Sequence, residues 1–526
     1  MFQKIRDLSK NLAIYGLGDV AVSVVSLLLL PLYVSYLTPD DYGALRMLGS
    51  VEVIAKIFFR WGLDGAFMRF FYEHEDEAWR QRLASTIFLF LIAANGTLLV
   101  LTFALSPLLA RLLFDTAPHL LALQLTLLNT FVIGFTFFPF HVLRIEQRAA
   151  QFSALTLARS IATVAIRLLL IVGLGMGVLG VVVADVVVTA VLMLFLIRWF
   201  RPLIRPLFSR DVLRDTLRFG LPRVPHAAAQ QVMAVGDTFI LNAFRPLNEV
   251  GIYSMGVSFG LTQKLFLSAF EYAWAPFYYA NAREPDAKRL FSVMTTYGLA
   301  VLALMTAGLS AIGGDLLAVF THKDAPKYVA AADVVTWTAV GVFFQGVYLL
   351  TSIGLNITKN TQYYPAATLA AATANVGLNL LLVPRFGMMG AAWANAAAYT
   401  VQAALAFVFS QRVYPVHYET RRIVILTVAA SAACLTARAL PEMPPFAGII
   451  VRGTTVVVIY GALLGLSGFL KADEMRALAG IARTRRPRAE PVSAPAPEVT
   501  ELGGEIVAAE IAPVDAEVTP QPRGRR

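Results

Sequence analysis

The chain has 526 residues, of which 57% are hydrophobic and only 15% charged, and its formal net charge is +10. A soluble domain needs roughly a quarter of its residues charged to wet its surface, so this composition excludes a water-exposed globule and leaves lipid as the solvent. Nucleic acid is not the reason for the positive charge, because most Arg and Lys lie in short stretches between apolar runs, as membrane topology signals do.

About 20 apolar residues cross a hydrocarbon core roughly 30 Å thick. Runs of that kind fall, in chain order, near 12–37, 43–71, 83–110, 119–143, 151–174, 177–199, 216–243, 249–280, 289–320, 329–358, 363–383, 388–411, 422–440 and 446–470. They predict an all-α membrane protein of about fourteen transmembrane helices. The basic start, Met1 to Lys10, leads into an apolar run that continues to Leu37. That run is too long for a signal-peptide core and has no small-residue cleavage site, so it reads as the first span. Cys434 is the only cysteine, and the six histidines are scattered. No disulfide framework, metal site or cofactor is expected.

Loop charge gives an independent check. With both ends inside, the inner segments carry seventeen Lys and Arg before the C-terminal tail and the outer segments five. That asymmetry supports an even number of spans and cytoplasmic termini. From Lys471 the composition changes to Pro, Ala, Glu and Val with few aromatics, which cannot bury a core, so 471–526 is expected to be a disordered cytoplasmic tail. Its basic knot, Arg483, Arg485, Arg486 and Arg488, reads either as a contact with anionic headgroups or as a solvated linker.

Two turns look alike. Leu37-Thr-Pro-Asp-Asp-Tyr-Gly43 and Phe244-Arg-Pro-Leu-Asn-Glu-Val-Gly251 each join two apolar runs through a short Pro-containing acidic segment that lands on Gly, and the two glycines are 208 residues apart. The spacing is close to six spans, and the basic loop Arg198 to Arg218 lies between the copies. The predicted architecture is two pseudo-symmetric six-helix lobes, 1–215 and 216–412, then two further helices in 413–470. Such repeats pack around a central site.

The run Leu30-Pro31-Leu-Tyr33, Tyr36-Leu37-Thr38-Pro39, Asp41-Tyr42-Gly43, with Gly62, Arg69 and Phe70 beyond it, resembles the N-terminal signature of Wzx-type polysaccharide-biosynthesis flippases. Arg218-Phe-Gly220-Leu-Pro222, with Asp237 fifteen residues on, resembles the start of their second lobe. These belong to the MOP exporter superfamily with MurJ and the MATE drug exporters. The resemblance implies a non-enzymatic, alternating-access carrier of the bacterial inner membrane that turns an undecaprenyl-diphosphate-linked oligosaccharide to the outer leaflet for surface polysaccharide. It implies as partners that substrate, membrane lipids, and a polysaccharide polymerase and export machinery. A monomer is expected, with no nucleic acid bound.

Such a cargo needs a hydrated cationic cleft, so charged residues inside spans become the candidates, since each costs at least about 2.5–3.5 kcal/mol at mid-bilayer. In the second span Glu52, Lys56, Arg60 and Asp64 follow one another at steps of four, and Arg69 comes after them. Steps of four line up on one stripe and permit i,i+4 pairing. The stripe is either a structural ion-pair ladder through Glu52, Lys56 and Asp64 or a cavity wall, with Arg60 and Arg69 as phosphate ligands because a guanidinium fork binds phosphate bidentately. In the fifth span Arg159, Thr163 and Arg167 share a face with no acid close in sequence, which suits a cationic wall or, for Arg159, snorkelling. In the eighth, Lys264 resembles a cation the family keeps, and Glu271 is a proton or sodium candidate or a partner to Lys264. Asp237, a lone acid in the seventh span, is either an ion-coupling site or a helix-pairing hydrogen-bond acceptor; Asp19 and Asp185 are read the same way. Pro222 and Pro225 beside Arg223 and His226 permit bending there. One departure stands: relatives often carry an arginine in the first span, where this chain has only Asp19.

Rival readings are another MOP exporter, carrying a peptidoglycan precursor or a cationic drug, and a membrane glycosyltransferase or polymerase. Intramembrane arginines disfavour a drug-cation site. The absence of a sizeable extramembrane loop disfavours the enzyme.

Overall fold

The computed structural model describes residues 35–469 apart from 75, 115–118, 147 and 322–324, together with 500–502 and 505–507. The expected first span, with Asp19 and Leu30 to Tyr33, falls outside the described residues except for its last three positions. The same holds for the basic knot and most of the tail, where the described part is a short antiparallel pair, Thr500–Leu502 with Glu505–Val507.

The rest is helical. In the first half the helices are α1 (Pro39–Arg60), α2 (Leu63–Glu73), α3 (Glu77–Phe114), α4 (Leu120–Ile133), α5 (Phe137–Ile145), α6 (Ala149–Leu168) and α7 (Gly177–Phe200). After α8 (Arg210–Gly220) the second half has α9 (Val224–Phe244), α10 (Leu247–Gly260), α11 (Gln263–Asn281), α12 (Ala287–Thr321), α13 (Ala325–Tyr328), α14 (Ala331–Thr351), α15 (Ile353–Ile357), α16 (Tyr363–Phe386) and α17 (Met388–Val413). The chain closes with α18 (Thr420–Arg438) and α19 (Pro445–Leu466).

Among the described residues, ten stretches, each a single helix or two in succession, are long and apolar enough to cross a membrane, and they coincide with ten of the predicted spans. Their outer faces carry large apolar side chains in the open, among them Val100, Leu108 and Leu112 at 69%, 66% and 72% exposure. Only lipid makes such a perimeter favourable. Inside the bundle, hydroxyls are satisfied one turn back along their own helix, as Thr126 donates to the Ala122 carbonyl and Thr130 to that of Thr126, both at 2.8 Å. That local pairing is what a waterless interior requires.

Three predicted spans are corrected. The run 43–71 is two helices, because Trp61 and Gly62 take left-handed conformations, φ 53° and 67°, and break it between α1 and α2. The run 249–280 breaks at Leu261–Thr262 between α10 and α11. The run 216–243 begins at α9, since 216–220 belong to α8, which packs on α2 and α3 at one end of the bundle. Hydropathy sums over both pieces of a broken helix and misses the break.

The two similar turns are helix starts. Thr38 caps α1 in a reciprocal box: its Oγ1 accepts from the Asp41 amide at 3.2 Å, while the Asp41 carboxylate accepts from the Thr38 amide at 2.9 Å. Pro39 in the first turn removes a donor that would have no partner. Pro246 stands one position earlier, as the residue just before α10, with Glu249 in the first turn accepting from the Met388 amide at 2.8 Å. Gly43 and Gly251 then lie in the second turns of α1 and α10, which cross in direct backbone contact. A Cβ on Gly43 would overlap the Leu247 carbonyl oxygen, and one on Gly251 the Pro39 carbonyl oxygen. Leu247 stands four residues before Gly251 and Pro39 four before Gly43, so a two-fold operation exchanges the contacts, as in any self-complementary interface.

A second crossing lies at the other end of α1. A Cβ on Gly62 would overlap the Gly220 carbonyl oxygen, and one on Gly220 that of Gly62. The two crossings are nineteen residues apart, about 28 Å at 1.5 Å per residue. The first crossing joins α1 to α10, and the second ties the α1–α2 break to the connecting helix α8. The final pair, α18 and α19, packs on α12, where Arg452 of α19 pairs with Asp315 at 2.7 Å, while Arg438 of α18 reaches Asp333 of α14 at 2.6 Å.

Candidate functional site

Between the two crossings lies a cavity of about 280 Å³. Its walls come from both halves: Tyr42, Arg46 and Glu52 of α1, Thr126 and Asn129 of α4, Arg167 of α6, Asp185 of α7, and Ser254 and Ser258 of α10. The helices are placed there by their small residues, because the Gly43–Gly251 crossing brings α10 against α1 and leaves polar faces of both pointing at the gap.

Arg167 grips Asp185 with a fork: Nη2 donates to both carboxylate oxygens at 2.7 Å and Nε to Oδ1 at 3.1 Å. The acid that Arg167 lacks along its own helix is supplied from across the gap by α7. Arg159, two turns earlier and half-buried, lies in the field of Glu52 and Asp185. Glu52 lines the cavity and holds Lys56 at 2.7 Å. The structure thus brings Glu52, Arg167 and Asp185 to the cavity wall, with Lys56 paired to Glu52 behind it. The Asn129 carbonyl oxygen, buried there, has no donor among the described residues.

Other sequence candidates lie elsewhere. Arg60 reaches Asp64 at 3.6 Å across the helix break, and its buried Nε has no acceptor among the described residues. Arg69 is on α2 away from the cavity walls, over the ring of Phe219 at 4.5 Å and 3.9 Å from Glu73. Lys264 and Glu271 are half-buried on α11, Glu271 beside Tyr348 of α14, and neither is among the cavity walls.

Asp237 is completely buried in α9. Its carboxylate accepts from the Tyr253 hydroxyl of α10, from Asn395 Nδ2 of α17 at 3.0 Å, and from the Thr238 amide at 2.7 Å and hydroxyl at 3.2 Å. Nearby on α16, Asn375 sits against Gly236, and Asn379 Nδ2 donates to the Asn375 carbonyl at 2.8 Å. The carbonyl oxygens of Asn379 and Asn395 have no donor among the described residues. The Asp237 carboxylate and the amide oxygens of Asn379 and Asn395 are hard oxygen donors.

Sequence reading missed Arg46, which connects the two sites. Half-buried in the cavity wall, it donates from Nε to Thr238 Oγ1 at 3.2 Å, and the same hydroxyl donates to Asp237. It stands six residues before Glu52, off the four-step stripe that drew attention. Its only signal was a charge inside an apolar run. Asn129, Asn379 and Asn395 left none, since neutral amides are unremarkable in a sequence.

These features define a multi-pass helical membrane protein with a polar chamber between its helices. Solved structures share the fold. "Lipid II flippase MurJ, inward closed conformation" superposes with a TM-score of 0.72 at 14% identity, covering 89% of this chain and all of that one. An inward-facing multidrug resistance MATE transporter of the MOP superfamily gives 0.58 at 16%, covering 76% of this chain and 94% of its own. An outward-facing one gives 0.55 at 15%, covering 77% and 95%. No curated protein matches significantly. The profile described as polysaccharide biosynthesis protein matches residues 8–279, over half of the chain, and the protein belongs to that family.

Proposed function

We propose that the protein is a flippase that carries a polyprenyl-diphosphate-linked oligosaccharide across the cytoplasmic membrane by alternating access, with both termini cytoplasmic. The observation that carries the reading is the meeting of Arg46 and Arg167, from two helices of the first half, in one chamber walled on the other side by α10. A cation at that depth needs a counter-charge at every stage of a cycle. In this structure Asp185 serves Arg167. A diphosphate entering the chamber takes over that role, because a guanidinium fork matches phosphate oxygens as well as carboxylate. The polyprenyl chain remains in lipid, and the sugars meet Tyr42, Thr126, Asn129, Ser254 and Ser258.

On this reading a coupling cation, a proton or sodium, sits at Asp237, where the free oxygens of Asn379 and Asn395 favour it. The chemistry shared by lipid II and lipid-linked oligosaccharides is the diphosphate, so the same chamber suits either cargo. Membership of a polysaccharide biosynthesis family favours the oligosaccharide. Two arginines in the wall disfavour a cationic drug.

The test is translocation of a fluorescent undecaprenyl-diphosphate oligosaccharide in vesicles holding the purified protein. Arg46→Ala and Arg167→Ala should each lower the initial rate at least about tenfold, the loss of a charge-assisted hydrogen-bond pair worth roughly 1.5–3 kcal/mol. Normal rates in both variants would sink the proposal, as would equal transport of a cargo lacking the diphosphate.

A further inference from the structure

One strongly charged surface takes no part in the cavity. Along α8, Arg210, Arg214 and Arg218 stand at steps of four, all exposed, and with Leu213 and Leu217 they wall a shallow groove. Asp211 and Asp215 are on the same short helix, yet none of these three arginines forms an ion pair among the described residues. The opposite face is committed: Thr216 and Gly220 are buried, and Val212 and Phe219 pack on the apolar cluster of α2 and α3. Flanking the arginine stripe, Leu207, Phe208 and Leu221 are 41%, 53% and 42% exposed.

We infer that α8 is a docking surface for the phosphate headgroups of anionic phospholipids in the leaflet at that face. Three guanidinium groups without carboxylate partners leave several N–H donors free for phosphate oxygens, and guanidinium takes phosphate bidentately. Water alone would satisfy the arginines but leave Leu207, Phe208 and Leu221 wetted. The boundary between headgroups and acyl chains satisfies both, which is the environment of an interfacial helix with a basic face and an apolar one. The helix runs through Leu221–Arg223 into α9 without a gap, so the docked headgroups hold the segment that presents Gly220 to Gly62. This inference is independent of the proposed cargo.

The experiment measures phosphatidylglycerol binding to the full-length protein in neutral detergent by native mass spectrometry, with phosphatidylcholine as the reference lipid. Each arginine near an anionic surface contributes about fivefold in affinity, so R210Q/R214Q/R218Q should weaken the tightest phosphatidylglycerol site on the order of a hundredfold. Phosphatidylcholine binding should not change. The triple lysine variant should keep most of the preference, and R214Q alone should lose about fivefold, which keeps the test alive should the triple glutamine variant fail to fold. Unchanged phosphatidylglycerol binding in the glutamine variants overturns the inference. So does loss of undecaprenyl diphosphate binding with phosphatidylglycerol binding intact, which would make the stripe a cargo surface.

Discussion

Asn95 lies on α3 opposite the break in α1 and answers both groups that the break exposes. Its Oδ1 accepts from the Trp61 indole at 3.0 Å, and its Nδ2 donates to the Phe59 carbonyl at 2.8 Å, which the broken helix leaves without its usual partner. Trp61 holds φ 53°, a conformation that costs a non-glycine residue about 1–3 kcal/mol and persists only where surroundings enforce it. Asn95→Ala strands two buried groups at roughly 1–3 kcal/mol each, so thermal unfolding in detergent should shift to clearly lower temperature. Asn95→Asp, which keeps the acceptor and loses the donor, should fall between the two. Thr238 is a second such residue, since its hydroxyl accepts a hydrogen bond from Arg46 and donates one to Asp237. Thr238→Val keeps the shape and removes both bonds, and Thr238→Ser keeps the bonds. Vesicle transport should fall several-fold in the valine variant and survive in the serine one.

At the scale of elements, the final helix pair shows how a bilayer protein fastens helices that share no hydrophobic driving force with lipid around them. Asp315 and Arg452 are 9% and 16% exposed, and Gly448 leaves room for the carboxylate, since a Cβ there would strike it. Removing one partner of a buried pair costs about 3–5 kcal/mol because the other charge is left alone. Asp315→Leu should therefore loosen α19 and expose its linkers to protease, whereas Asp315→Leu with Arg452→Leu should regain much of the stability. If the double variant is as labile as the single, the pair is held for more than its charge. Arg422 anchors α18 at its start, paired with Glu419 at 2.6 Å and lying over the Phe469 ring at 4.5 Å.

For the whole molecule, the two glycine crossings set what the halves can do. Gly43 with Gly251 joins α1 to α10, and Gly62 with Gly220 joins the α1–α2 break to α8; on the proposed alternating-access reading these contacts open one at a time. Gly43→Ala and Gly251→Ala both push a methyl into a backbone carbonyl, an overpacking cost of about 1–3 kcal/mol. The two-fold relation predicts that they behave alike. With Cys434→Ser removing the lone cysteine, a cysteine at Ser258 reports on the cavity. Its alkylation by a membrane-impermeant reagent from the Gly43 side should accelerate several-fold in either alanine variant.

Much of this was legible in the residues alone. Apolar runs, loop arginines and the repeated turn predicted helices, spans and the likeness of the Gly43 and Gly251 turns, because lipid imposes length and polarity on each segment one at a time. The acids and cations of the cavity were also visible, since a charge inside a span stands out. Partnership was not visible. Arg167 finds Asp185 on the next helix, Arg69 turns to Phe219 and not to the chamber, and Arg46 gains its importance from Thr238 nearly two hundred residues away. The helix break at Trp61 escaped hydropathy because both pieces are apolar enough. Sequence determined which segments enter the membrane, a matter of local transfer energy. Only the folded chain decided which charges face one another across the gap, because that depends on how helices cross, and the crossing was set by backbone contacts at a few glycines.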